Sequence, residues 1–469
     1  MTQSKEIFLA STIFKLEDQK NFAKFSGDSN PIHVDPVFAR RTISGECVVH
    51  GIHGLMWALD SLFASTNLRP SGIDVKFTKP IFLDEEVSCY YDPNSKKLKI
   101  SKGLIILSDV NLKFDSMLDF SDSDLNLLCK QALNSPFDRD INDLDNLAPQ
   151  EFFYRGVLDL ANTLFPNISK TYSIATCCEI AAISEIIGMH IPGLHSLFLS
   201  ARINFQINKS ESSLSIQGID ERFNLVKILI NGSSLICNCV ALFRQKPTSG
   251  PSLINLQNKV KSSEFSGIKA LIIGGSRGLG ESAAKIIALG GGESVITYSS
   301  GYDDCLKISK EISDFGRKCL ISKLKIPDDM GLLEKLGKFN QVYYFPTPKI
   351  FGKRNDDYDE NLYNKFYDIY IKSFEKLVNY FNKQSTKISI FYPSSVAIDN
   401  PMPELLEYVD AKIGGEKLCK ELNNLNNISI LVSRIPRTRT DQTMSFVEVK
   451  SENPEDIMLP IIRKMLHTI

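Results

Sequence analysis

Two side chains able to move protons stand five positions apart in residues 25–35, Phe-Ser-Gly-Asp-Ser-Asn-Pro-Ile-His-Val-Asp: they are Asp28 and His33. Asn30-Pro31 between them is turn-forming, because proline fixes φ and asparagine tolerates tight backbone. The turn lets both side chains converge on one water. Ordinary carboxylate and imidazole pKa values, about 4 and 6.5, straddle the range useful for general acid–base work. Such a pair can take a proton from water and deliver one to carbon. The structural alternative is an Asp and a His that merely cap a turn.

A second constellation lies in the last third of the chain. Residues 272–280, Ile-Ile-Gly-Gly-Ser-Arg-Gly-Leu-Gly, follow an apolar strand and open a helix. Glycines there let the backbone approach a pyrophosphate, which then sits on the helix N-terminus. A Gly-rich loop alone is a weak signal. It is strengthened by Tyr408 and Lys412, one helical turn apart on a shared face, and by Ser395, which precedes the tyrosine just after a strand. The ammonium is expected to lower the phenol from its usual value of about 10, so that Tyr408 exchanges a proton with a carbonyl oxygen held by Ser395.

The first segment resembles the signature of MaoC-like, (R)-specific enoyl-CoA hydratases, which have a hot-dog fold. The resemblance continues through Val49-His50-Gly51 and through residues 77–87, Phe-Thr-Lys-Pro-Ile-Phe-Leu-Asp-Glu-Glu-Val. It implies that Asp28 and His33 catalyse water addition to a conjugated enoyl thioester. It also implies that the N–H of Gly51, at a helix N-terminus, receives the thioester oxyanion. His50 and His53 fall on that helix, where packing or capping competes with chemistry. Residues 188–196, Gly-Met-His-Ile-Pro-Gly-Leu-His-Ser, resemble the second repeat of double hot-dog proteins. That repeat lacks the Asp and His pair, so one active site is expected, with His195 chiefly structural.

The second constellation resembles the short-chain dehydrogenase/reductase family. It implies catalysis by Ser395, Tyr408 and Lys412, and cofactor contacts from Gly274, Ser276, Arg277, Gly278, Leu279 and Gly280. Residues 434–440, Arg-Ile-Pro-Arg-Thr-Arg-Thr, resemble the family's loop after the next strand. NADP(H) is the expected cofactor. Arg277, Ser299 and Ser300 offer partners to a 2′-phosphate, and no acid at the end of the second strand would repel it. Some positions depart from the family pattern. Ile273 replaces a threonine, and Tyr344-Phe345-Pro346-Thr347 replaces Asn-Asn-Ala-Gly. Tyr370 lies near where an asparagine is usual, and Lys325 aligns with the acidic adenine contact. A Gly-rich closing strand is missing.

The elements that must position these groups fall into distinct stretches. A helical run over 48–63 precedes a period-two strand over 73–81; a second helical run over 175–188 precedes strand character over 197–207. Helix then antiparallel strands, twice, predicts an internal duplication. Short apolar strands alternating with amphipathic helices after residue 269 predict a parallel α/β sheet. The expected fold is therefore an α+β double hot-dog module followed by an α/β Rossmann (doubly wound) domain. Its boundaries are 1–115, 116–248, a Pro-, Ser- and Lys-rich linker over 249–265, and 266–469.

With 469 residues, net charge −1 and 43% hydrophobic residues, the chain has no bulk attraction for nucleic acid or an anionic membrane. No apolar run approaches the ~20 residues of a membrane span, and the first ten residues are too polar for a signal peptide. Ten scattered cysteines without a C-x-x-C pair predict reduced, mostly buried thiols in a cytoplasmic protein and no metal site; a homodimer is among the expected assemblies. Together the two resemblances imply hydration of trans-2-enoyl thioesters to (R)-3-hydroxyacyl thioesters and NADPH-dependent reduction of 3-oxoacyl thioesters, on CoA or acyl-carrier protein. NAD-dependent oxidation in the reverse direction, or a silent nucleotide-binding module, are the competing expectations.

Overall fold

Along Gly72–Phe77, Ile73 and Val75 are buried while Lys76 is exposed, the alternation of a half-buried strand. Its partner Ser196–Phe205 does the same: Ala201 and Ile203 are buried, Arg202 exposed. The two strands pair antiparallel, with Ile73 opposite Ile203 and Val75 opposite Ala201. On the outer face Arg202 donates to Asp74 at 2.8 Å. This pairing joins two halves of one sheet.

The computed structural model describes residues 6–115, 127–144, 147–206, 212–351, 357–384, 387–445 and 449–468. The chain divides into two units, Met1–Lys246 and Pro247–Ile469. The expected boundary at 115/116 abuts residues 116–126, which lie outside the described residues.

The strands of the first unit are β1 (Ile7–Ile13), β2 (Gly72–Phe77), β3 (Glu86–Asp92), β4 (Lys97–Lys102), β5 (Ile105–Lys113), β6 (Gln150–Glu151), β7 (Ser196–Phe205), β8 (Ser213–Asp220), β9 (Leu225–Asn231) and β10 (Leu235–Phe243). They form one sheet in the order β1-β3-β4-β5-β2-β7-β10-β9-β8-β6. Read outward from the β2–β7 seam, the second half repeats the first strand for strand. The strand order is thus the same on both sides of the seam. Each half contributes one apolar helix, Gly51–Ser65 and Ile174–Glu185, and these pack on each other over the sheet in a single core. Nine residues of the first helix are buried, among them Ile52, Leu55, Met56, Leu59 and Leu62; each large apolar side chain so buried contributes ~1.5–3 kcal/mol. The helix expected over 48–63 starts later, because Val48 and Val49 hydrogen-bond the segments at Ile32 and Ile81.

The second unit holds β11 (Lys269–Ile273), β12 (Glu293–Tyr298), β13 (Cys319–Lys323), β14 (Gln341–Tyr344), β15 (Ile388–Ser395) and β16 (Ile428–Ile435). All pairs are parallel, in the order β13-β12-β11-β14-β15-β16. The order reverses between β11 and β14, which makes that point the crevice where open α/β sheets bind ligands. Residues 249–265, expected as a linker, differ from expectation. Leu253, Leu256, Val260 and Phe265 are buried in the second unit's core, so the stretch belongs to that unit.

Nine of the ten cysteines are buried free thiols. Among the described residues no helix is long and apolar enough to cross a membrane.

Candidate active sites

Asp28 follows Gly27, whose positive φ of 86° ends the Leu16–Ser26 helix in the left-handed conformation. Asn30 caps the Pro31–Val34 turn, its Oδ1 accepting from Ile32 N at 3.2 Å. The structure brings Asp28 and His33 together. One nitrogen from each of His33 and His50 and an Asp28 carboxylate oxygen all lie within 4.8 Å of one another, close enough to share a water. His33 Nδ1 is 2.7 Å from the Val48 carbonyl. A carbonyl only accepts, so Nδ1 carries the proton and Nε2 keeps a lone pair for the reacting water.

Burial inverts the ordinary order of the two groups. Desolvation pushes the Asp28 carboxyl up to about 7, against opposing hydrogen bonds from Ser184 and Asn30. Desolvation also pushes His33 down to about 4. Near neutrality His33 is thus a neutral base, and Asp28 lies close to half-protonation, able to hold or release a proton.

His50, fully buried, stacks on His33 with ring centroids 3.8 Å apart. Its Nε2 lies 3.0 Å from the Asp28 backbone carbonyl and its Nδ1 2.9 Å from Gln19 Oε1. It therefore clamps the loop carrying Asp28 onto the helix start. His53 stacks on Phe22 at 4.6 Å, which is packing. Asp28, His33 and His50 also have the donor types of a cation site, but His50 Nε2 and His33 Nδ1 already face backbone carbonyls. Gly51 begins the long helix, and no side chain caps that end. A Cβ at Gly51 would stand 3.2 Å from the Phe77 ring, so glycine keeps this N-terminus close-packed and its N–H groups unblocked.

The second half supplies what sequence reasoning missed. Ser184 Oγ donates to Asp28 Oδ2 at 2.7 Å. Asn30 Nδ2 donates to the carbonyl oxygens of Gly188, at 2.7 Å, and Gly193, at 3.2 Å. A Cβ at Gly188 would fall 2.3 Å from Asp28 Oδ1, so only glycine fits there. It sits in a π-helical turn, Ile186–His190, a bulge type frequent at functional sites. Buried Glu185, held by His190 at 2.8 Å and Arg155 at 3.4 Å, adds to the rise of Asp28 through like charge. His195 does not join the pair; its Nε2 lies 3.1 Å from Asp138 Oδ1.

In the second unit the Gly-rich loop leaves β11 at the switch point. Gly274 and Gly278 adopt positive φ, 80° and 58°, which other residues rarely do. A Cβ at Gly280 would stand 2.5 Å from the Gly274 carbonyl oxygen. Thr297 anchors the loop, its carbonyl accepting from Gly275 N at 2.9 Å. Ser276 and Leu279 lie within this turn, and the helix Gly278–Leu289 opens from it. These residues fit a pyrophosphate. Ser299 and Ser300 are exposed just beyond β12. Arg277 is not a solvated loop charge: its Nη1 pairs with buried Asp441 at 3.1 Å.

Ser395 ends β15 beside the buried Tyr408 phenol, its hydroxyl accepting from Ala397 N at 3.2 Å. The expected effect of Lys412 on that phenol is not what the structure gives. Burial raises Tyr408 above its usual value, with Ser395 opposing. Lys412 is itself pushed down to about 7 by burial. Its Nζ donates to the Pro393 carbonyl at 2.6 Å and lies 3.7 Å over the Tyr370 ring, with Tyr392 and Tyr408 also around it. Burial moves each group toward its neutral form. The departures also pair with each other, since the Tyr370 hydroxyl bonds Thr347 Oγ1.

Residues 4–103 match the family model described as MaoC like domain, so the stretch that carries Asp28, His33 and Gly51 is a MaoC-like domain. No curated protein matches the chain. Similar solved structures include FolM alternative dihydrofolate reductase 1 from Brucella canis complexed with NADP, at 13% identity and a TM-score of 0.37, covering 43% of this chain and 88% of that one. Another is the angucycline C-6 ketoreductase LanV with bound NADP, at 17% identity and a TM-score of 0.38, covering 43% and 90%. A third is the oxidoreductase yciK from E. coli, at 16% identity and a TM-score of 0.40, covering 44% and 91%.

Proposed function

We propose that the chain is a bifunctional acyl-thioester enzyme, a double hot-dog hydratase/dehydratase joined to a Rossmann reductase of the short-chain type. The first unit interconverts trans-2-enoyl and (R)-3-hydroxyacyl thioesters, and the second reduces 3-oxoacyl thioesters with NADPH. CoA or acyl-carrier protein carries the acyl group. The observation that carries this reading is the Asp28–His33 pair with inverted proton affinities beside the uncapped helix start at Gly51, within a MaoC-like domain.

His33 Nε2 takes a proton from the water as its oxygen adds to the β-carbon. Asp28, in its protonated form, delivers a proton to the α-carbon, and the Gly51 N–H holds the thioester oxygen as negative charge develops. In the second unit, a bound NADPH supplies the hydride. Tyr408 gives its proton to the carbonyl oxygen, Ser395 holds that oxygen, and the Gly274–Gly280 loop holds the pyrophosphate. Both units act on the same β-carbon, and one chain keeps their shared intermediate at high local concentration.

A second reading is favoured by Lys412. Held on a backbone carbonyl among three tyrosines, it leaves the phenol raised, as in a module that binds a nucleotide without turning over. Purified full-length protein assayed with crotonyl-CoA, and with acetoacetyl-CoA plus NADPH or NADH, separates the readings. Hydration without any ketoreduction supports the second; absence of hydration overturns both.

A further inference from the structure

Buried beside the hydration pair is a cation without enough partners. Arg244 is 3% exposed, yet its Nε and Nη1 have no hydrogen-bond partner among the described residues. Its Nη2 donates to the Leu194 carbonyl at 2.5 Å, and the guanidinium carbon lies 5.7 Å from the Phe38 ring centre. His195 is next to it, 4% exposed, with Nδ1 likewise unpartnered. The two residues flank the last β7–β10 pair, Ser196 opposite Phe243, and Arg244 N donates to the His195 carbonyl at 2.8 Å. A buried guanidinium is costly unless its donors are filled. A guanidinium presents its N–H groups in two fixed forks, Nε beside Nη2 and Nη1 beside Nη2, and either fork, with the second Nη2 proton, matches an oxyanion.

We infer that Arg244 and His195 form an oxyanion subsite of the hydratase, one that receives a carboxylate carried on the acyl group. The inference rests on the proposed hydration site and extends it to a substrate class. The place of the subsite favours the acyl group. The Leu194 carbonyl that accepts from Arg244 also lies 3.5 Å from Asn30 Nδ2, and Asn30 N bonds Asp28 Oδ1 at 3.1 Å. The guanidinium is also close enough to His33 to lower its proton affinity. Phosphates of CoA or of a carrier arm stand at the far end of the pantetheine from the thioester. Neutral His195 adds no repulsion to an entering anion, and its free Nδ1 can take up a proton alongside it.

Binding of saturated, unreactive thioesters to the full chain tests this without turnover. Four ligands are compared by calorimetry: glutaryl and butyryl thioesters, each on CoA and on N-acetylcysteamine. The expected result is that glutaryl binds more tightly on both carriers, by about 10- to 100-fold, with Arg244→Gln erasing the difference. Arg244→Lys, which keeps charge but loses the fork, should restore part of it. A preference for CoA over N-acetylcysteamine that Arg244→Gln erases, with no glutaryl preference, would overturn the acyl assignment in favour of a phosphate. Equal binding of all four ligands by the wild type would overturn the subsite, and that outcome is readable even if the variants fail to fold. Loss of crotonyl-CoA hydration in Asp28→Asn tests the underlying reading separately.

Discussion

Ser184 and Asp28 lie 156 positions apart in the chain and 2.7 Å apart in space, the serine hydroxyl donating to the carboxylate. The half of the first unit that lacks an acid–base pair of its own thereby tunes the pair in the other half. The hydrogen bond favours the ionised carboxyl, against burial, which raises it to about 7. Ser184→Ala should move the Asp28-dependent limb of the hydration pH profile upward and lower the rate at its optimum by about 10-fold. A profile identical to wild type would detach Ser184 from the mechanism.

The pair itself is tested by Asp28→Asn and His33→Ala. Each should reduce crotonyl-CoA hydration by a factor on the order of 10²–10⁴, leaving acetoacetyl-CoA reduction by the second unit unchanged. Wild-type hydration in either variant removes that residue from the chemistry.

Asp28 also makes a stability prediction, and its sign is opposite to that of a salt-bridged carboxylate. The folded-state pKa, about 7, lies above the ordinary 3.8. Stability linked to Asp28 is therefore full below pH 4 and is lost as pH rises toward 7, where a bare charge is buried. Asp28→Asn should raise the melting temperature of the first unit at pH 8, by up to roughly 4 kcal/mol in free energy. The gap should close at pH 4. Thermal melts across that range decide it; a gap that widens toward acid would contradict the raised pKa.

Arg277 is expected to help NADPH bind more tightly than NADH, but its pairing with buried Asp441 gives it a structural duty as well. Arg277→Ala should narrow the NADPH–NADH gap and also cost the second unit about 2 kcal/mol. Adding Asp441→Asn should recover stability without recovering cofactor preference. Titrations and melts on the same samples separate the two duties.

For the reductase, Tyr408→Phe should abolish acetoacetyl-CoA reduction while NADPH still binds, since the lost hydroxyl gives a proton rather than holding the cofactor. Gly278→Val should abolish binding instead. Its φ of 58° strains a β-branched residue, and the new Cβ would stand 3.1 Å from Thr440 Cγ2. Turnover surviving Tyr408→Phe would mean that another group donates the proton.

The sequence made Asp28, His33 and the Gly274–Gly280 loop legible because each is a local pattern, a turn or a loop whose chemistry lies within a dozen residues. Ser184 and Gly188 were illegible for the opposite reason. A lone serine on an apolar helix carries no motif, and the resemblance over residues 188–196 assigns its first glycine no part in the chemistry; only the packing of the second half onto the first brings both to Asp28. The lysine in its tyrosine box is similar. The spacing of Tyr408 and Lys412 places them on one face, but Tyr370 and Tyr392 arrive from other elements to set their rings about the buried lysine. In residues 249–265 the polar composition concealed Leu253, Leu256 and Phe265, which the second core takes up.

The seam between β2 and β7 has a consequence for dilution. In a symmetric pair of separate chains, a site completed by the neighbour exists only while the pair is associated, so activity per molecule falls as protein becomes scarce. Here both sides of that contact are encoded in one polypeptide, and Ser184 reaches Asp28 in a single molecule. The specific activity of hydration should therefore hold constant down to nanomolar protein.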